Sequence, residues 1–223
     1  MGKAVSSPVW NNSSRRPAAN LQSAYLPVKM MRFCLFCLSA IAVIGCHKKT
    51  TDRVQDPPAI IKHKDLGNQA IAFGQQASVD IDSDGTPDLV FRTSFLGDPV
   101  NGEDKKQWMV QTRGTVRLPV NTEERIPVFS SKQRIGTADF SGYYWSEGVA
   151  ALLSEKVTNL QDQVIWRGDW VAVSHQFIPF LIGRNDGTYT GWVEVSFSKA
   201  QEQLMLHRAG LSVKKDQAID AGD

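Results

Sequence analysis

Three absences bound what this chain can be. Cysteine is scarce: the 223 residues hold three, Cys34, Cys37 and Cys46. Everything after residue 46 must therefore hold together without a disulfide framework. An excess of one charge is also missing. Lys+Arg is 25 against 23 Asp+Glu, a formal net of +2, which argues against a surface built to grip phosphate backbones. Nucleic acid is not an expected partner. Finally, there is no long apolar run. The longest is the 12-residue stretch Phe33 to Ile44, FCLFCLSAIAVI, broken only by Ser39, and a membrane-crossing helix needs roughly 20 residues. Glycine-rich phosphate loops, a Gly-x-Ser-x-Gly elbow and internal repeats are absent as well. What is present is globular in character: 42% hydrophobic and 22% charged residues, with Gly 17 and Pro 10 for turns.

The apolar run reads as part of an address. Lys29 and Arg32 precede it and small residues follow, the order of a secretory signal peptide. It ends in Val43-Ile44-Gly45-Cys46, which resembles the bacterial lipobox. That resemblance implies diacylglycerylation of the Cys46 thiol, cleavage before it, and durable anchoring by several acyl chains. Residues 1–29 are polar and lack periodicity, and the compact signal would start at Met30 or Met31. The expected organisation is a non-native upstream extension over 1–29, a lipoprotein signal peptide over 30–45, a lipidated Cys and flexible tether over 46–65, and a β-sandwich domain over 66–223. Without residues 1–45 the balance becomes 20 basic against 23 acidic residues, a net of −3. His47 stands where an Asp would hold a Gram-negative lipoprotein at the inner membrane. The resemblance thus implies an extracytoplasmic protein of the bacterial cell envelope, at the outer membrane.

From Leu66 onward short apolar alternations are separated by turn residues. Ala77, Val79 and Ile81 share one parity; so do Trp108, Val110 and Thr112, then Val116, Leu118 and Val120, and finally Val193, Val195 and Phe197. Residues 88–93, 170–173 and 180–182 are further strand candidates, Leu204 and Leu206 continue the pattern, and Asp186-Gly187 marks a hairpin. Period two over many short runs predicts an all-β antiparallel sandwich, jelly-roll-like. One segment, Trp145 to Val157, WSEGVAALLSEKV, reads as a short helix after a Ser146 cap.

One motif carries sharp chemistry. Asp80-Ile81-Asp82-Ser83-Asp84-Gly85-Thr86-Pro87-Asp88 places four carboxylates in nine residues, with no basic residue until Arg92. Such like charges repel unless a cation joins them. Ca²⁺ takes about six to eight oxygen ligands, and the spacing fits the first nine positions of an EF-hand loop. Asp80, Asp82, Asp84 and Asp88 supply carboxylates, Thr86 its carbonyl, and Gly85 the turn. Phe91 stands where the closing Glu would be, and the flanks are strand-like. The loop therefore resembles the strand-flanked calcium loops of integrin-type propeller blades and related extracellular domains. Calcium is the expected cofactor, in a structural role.

The C-terminal run has its own resemblance. Tyr189-Thr190-Gly191-Trp192-Val193, then Leu204-Met205-Leu206-His207-Arg208-Ala209-Gly210, then Ile219-Asp220-Ala221-Gly222 resembles a recurrent ending of uncharacterised secreted and lipid-anchored bacterial proteins. Those proteins also carry an Asp-rich loop near the domain start. The implication is a β-sandwich without assigned enzymatic activity.

Other candidates weigh less. Tyr143, Trp145, Trp166 and Trp170 could form an aromatic platform for a sugar, although aromatics are more often core. The Arg167-Gly168-Asp169 tripeptide is of a kind that recurs by chance. Ser174 and His175 are neighbours, and neighbours on a strand face opposite ways. His63, His175 and His207 lack metal-ligand spacing, and neither Glu123-Glu124 nor Glu147 with Asp139 is spaced as a catalytic carboxylate pair. No catalytic residue is assigned and no enzymatic activity is expected. The sequence thus predicts a lipid-anchored, calcium-stabilised β-sandwich that serves the envelope as a binding or structural module. Alternatives are a carbohydrate-binding or glycan-cleaving surface module, and an assembly component that contacts other envelope proteins. The membrane is the expected partner through the anchor; a glycan or an envelope protein would be the ligand.

Overall fold

The computed structural model describes residues 58–223; Cys46, the signal-like run and the segment 1–29 lie outside the described residues. Thirteen strands follow one another among the described residues. They are β1 (Ile61–Ala72), β2 (Gln76–Val79), β3 (Leu89–Asp98), β4 (Glu103–Thr112), β5 (Val116–Val120), β6 (Arg134–Ile135), β7 (Tyr144–Glu147), β8 (Ala150–Asn159), β9 (Val164–Arg167), β10 (Gln176–Arg184), β11 (Gly187–Ser198), β12 (Gln203–Ser212) and β13 (Ile219–Asp220). One sheet has six strands in the order β1-β12-β11-β10-β5-β7, a second has five in the order β2-β3-β4-β8-β9, and β13 and β6 form a small ribbon. Consecutive hairpins dominate, as the turn signals suggested, and the β10–β11 turn closes on the pair Arg184 and Gly187. The two large sheets pack face to face as an all-β sandwich, and neither closes into a barrel.

Alternation decides which side chains enter the core. Phe91 from β3, Trp108 and Val110 from β4, Val193, Val195 and Phe197 from β11, and Leu204 and Leu206 from β12 all point between the sheets. Each such side chain contributes about 1.5–3 kcal/mol when fully buried. Trp108 sits at the centre, edge-on to Phe197 at 5.1 Å. Its indole N–H is not stranded there: it donates to the Ile71 carbonyl at 3.1 Å.

The outer face of the six-stranded sheet carries a second, smaller core. Phe177 and Trp192 project there and are roofed by Phe129, Ile135, Ile219 and Ala221. Trp192 lies flat over Gly210, where a Cβ would come within 2.5 Å of the ring. Part of β10 and β11 is therefore buried on both faces, which is why these strands read as nearly continuous apolar runs.

Three expectations need correction. The segment Trp145 to Val157 is not a helix but parts of β7 and β8, and no helix occurs among the described residues. The alternation was hidden by a bulge: Trp108 pairs with Ser154 and Met109 with Leu152, so Leu153 is an extra residue and the parity slips. Residues 170–173 form no strand. The chain curls after Gly168, whose Cβ would lie 2.4 Å from the Leu153 carbonyl, and Trp170 drops into the main core. Finally, β1 begins at Ile61, inside the stretch expected to be tether. Its charged residues 62–65 look like linker, but they pair with β12.

Candidate functional site

The aspartate loop joins β2 to β3. Its ends are tied together where the Asp88 N–H donates to the Val79 carbonyl at 2.9 Å. Within it, side chains bind the loop's own backbone, as short Asp side chains do in turns. Asp80 accepts from the Ser83 and Gly85 amides at 2.7 and 3.1 Å, and Asp84 accepts from the Thr86 amide at 2.7 Å. Buried Asp88 accepts from the Ile81 amide at 2.6 Å. Ser83 and Gly85 take positive φ, 66° and 91°, and so fold the chain back around the carboxylates.

This folding brings oxygens of Asp80, Asp82 and Asp88 to within 4.8 Å of one another, a group that can hold a metal ion. Asp84 and Thr86 are exposed beside it and outside that group. Basic side chains approach from other strands. Lys64 donates to the Asp80 carbonyl, and Arg184 reaches the Asp82 carboxylate at 2.8 Å. The charges leave their mark on acidity. Burial, and then the neighbouring Asp82 and Asp80 carboxylates, push the Asp88 carboxyl above its ordinary range against the pull of the Ile81 and Asp82 amides. Burial also acts on Asp80, but the Gly85 and Ser83 amides and Lys64 outweigh it and hold that carboxyl low.

The four candidate aromatics do not share a groove. Trp170 is fully buried, with its indole N–H directed at the Ile126 carbonyl, 3.4 Å away; it is core and no ligand can reach it. Trp166 is half-buried against Trp108 and Phe197, at 5.8 and 5.5 Å. Tyr143 and Trp145 instead pack on Phe140, at 5.7 and 6.0 Å, on the other side of the sheet beside the smaller core.

A second polar cluster, which the sequence reading passed over, lies on the outer face of the six-stranded sheet. A cleft of about 410 Å³ opens there, lined by Asn68, His175, Glu194, His207 and Arg208 among others. Glu194, although charged, is buried. It accepts from Arg208 Nε at 2.5 Å and pairs with His175 Nδ1 at 2.6 Å. Burial raises its pKa less than Arg208 and His175 lower it, so the Glu194 carboxyl sits below its ordinary range. The His175 and His207 rings stack with centroids 4.3 Å apart. Ser174 takes no part: its hydroxyl is not the partner of either ring, whereas Ser196 Oγ lies 2.8 Å from His207 Nε2. Comparison of the chain with protein-family models, with curated proteins and with solved structures gave no match.

Proposed function

We propose that this protein is a calcium-stabilised binding or structural module of the bacterial cell envelope, lipid-anchored through Cys46. The observation that carries the metal reading is the convergence of Asp80, Asp82 and Asp88 from a single short loop onto one point. Hard oxygen donors grouped in this way suit Ca²⁺ better than softer metals, because no imidazole or thiolate belongs to the set. Asp84 and the Thr86 carbonyl, exposed on the same loop, would complete the coordination. The ion's work is structural. It neutralises like charges that Lys64 and Arg184 offset only from outside, and it fixes the turn between β2 and β3. The lipobox resemblance at Val43 to Cys46 supports the anchor, and the residues before β1 would space the sandwich from the outer membrane.

Thermal unfolding in EDTA and in millimolar Ca²⁺ tests the metal. At 100-fold excess over Kd, binding adds about 2.7 kcal/mol of stability. The expected result is a calcium-dependent rise in Tm that Asp82→Ala abolishes; equal Tm values in both buffers would refute the site. Palmitate labelling in a bacterial host, present in the native chain and lost in Cys46→Ala, tests the anchor separately.

A further inference from the structure

We propose that Ser196, His207 and Asn68 form a nucleophile–base–orienter set that hydrolyses short-chain esters at the margin of the outer-face cleft, which His207 and Asn68 line. The hydrogen bonds run in one direction. The His175 backbone N–H donates to Ser196 Oγ at 2.9 Å. Ser196 Oγ lies 2.8 Å from His207 Nε2, and His207 Nδ1 lies 2.6 Å from Asn68 Oδ1, an oxygen that can only accept. With a neutral imidazole only one tautomer satisfies all three contacts, and it leaves Nε2 free to take the serine proton. This is the geometry that activates a hydroxyl: nucleophile to base to orienting group, recognised by roles and not by order in the chain.

The backbone departs from regularity at just these residues. Between β11 and β12, Glu194 pairs with Arg208 and Val195 with Leu206, so His207 is an extra residue. The parity of β12 flips there. Leu206 and Ala209 face the main core on either side, and both His207 and Arg208 face out. On the other flank β1 is paired at Asp65 and again at Gln69, with Asn68 in the unpaired stretch. Asn68 and His175 also take left-handed φ, 53° and 50°. Bulges that re-aim side chains, and non-glycine residues held at positive φ, gather at functional sites. Here two bulges and two such residues converge on one imidazole.

The neighbours suit the chemistry. Burial first, and then the facing His175, hold the His207 pKa below its ordinary range, which keeps the ring neutral and able to accept. Stacked His175, fixed by Glu194, restrains the ring's orientation. Arg208 lines the same cleft with its guanidinium held on Glu194 at 2.5 Å. In the reaction, Ser196 Oγ bonds to the ester carbonyl carbon as its proton passes to His207 Nε2. The C–O bond to the leaving alcohol breaks and the alcohol takes that proton. Water then gives a proton to His207, its oxygen bonds to the acyl carbon, and Ser196 recovers the proton as the carboxylic acid leaves.

The inference is independent of the metal loop, and its test needs no metal. The full chain is treated with a fluorophosphonate and the adduct is located by peptide mass spectrometry. In parallel, 4-nitrophenyl acetate hydrolysis is followed. Ser196 should carry the adduct, and Ser174→Ala should label as the native chain does. His207→Gln should slow both readouts by roughly 100-fold or more. Asn68 positions His207, so Asn68→Ala should lower the rate. Asn68→Asp should retain activity, with the acid limb of the pH profile moved upward, because a carboxylate favours the imidazolium. The titratable groups that share the cleft with that imidazolium are His175, Glu194 and Arg208, and His63, Lys64 and Asp65 from β1. A native chain that stays unlabelled at Ser196, or labelling and hydrolysis that persist unchanged in His207→Gln or Ser196→Ala, would overturn the proposal.

Discussion

The aspartate loop and the histidine cleft manage charge in opposite ways. In the loop, carboxylates from one short segment face one another, and their hydrogen bonds go to the loop's own amides. The charge that remains is balanced from outside by Arg184 on one side, and it leaves a group that can hold a metal ion. In the cleft, partners come from separate segments of the chain, and acid and base are already matched: Glu194 on β11 between Arg208 on β12 and His175 just before β10. The first arrangement is cheap to build and incomplete alone. The second is complete alone and depends on the whole sheet. A perturbation should therefore separate them: chelation or a change in loop charge should act on the first, and damage to the sheet's outer face on the second.

The largest break should come from Trp192→Ala. Trp192 is fully buried and carries Arg208 over its ring at 5.1 Å. Truncating a buried tryptophan costs about 3–5 kcal/mol, to be read in urea unfolding. The same variant should loosen the cleft yet keep the calcium-dependent rise in Tm, since the loop lies at the sandwich's other core. A loss under about 1 kcal/mol would mean that the small roof of Phe129, Ile135 and Ile219 does not anchor the outer face. Next in size is Asp88→Asn. It should lose the gain of about 2.7 kcal/mol expected in excess calcium. In EDTA it should be no less stable than the native chain, because a neutral isostere keeps the Ile81 contact and removes a carboxylate from the neighbourhood of Asp80 and Asp82. Marked destabilisation in EDTA as well would show that the carboxylate serves the fold and not an ion.

The two regions also differ in how readable they were. The loop is one contiguous string, so its Asp spacing announced it, and the parity of Val193, Val195 and Phe197 announced the sandwich in the same way. The cleft offered no such string. Asn68, Ser196 and His207 sit on three strands, and their meeting depends on strand order and on two bulges that no local pattern specifies. A faint signal existed: in Leu204 to Leu211 the core residues fall at 204, 206, 209 and 211, and the step of three between 206 and 209 marks the bulge. The same blindness explains the mistaken helix. Leu153 breaks the parity of β8, and a broken period of two resembles a period of 3.6. The aromatics failed for another reason, since composition cannot say on which face of a sheet a tryptophan lands.

The smallest effect expected is on acid stability, and it tests whether the cleft is balanced as described. His207 has a folded pKa below its ordinary value of 6.5. The unfolded chain therefore takes up that proton first, and stability falls as pH drops below 6.5. Glu194 has a folded pKa below its ordinary value of 4.5. Its contribution is complete above that value and is lost as pH falls through the lower, folded one. Tm should thus decline in two steps on acidification, the first below pH 6.5 and the second below pH 4.5. Glu194→Gln should lower Tm at neutral pH and erase the second step, because Arg208 and His175 lose their anion at every pH. The aspartate loop titrates alike in both chains, so its contribution cancels from this comparison. A Glu194→Gln curve parallel to the native one throughout would place the carboxylate's partnership with Arg208 and His175 in water-screened balance, and would leave the His207 ring without the restraint that its geometry implies.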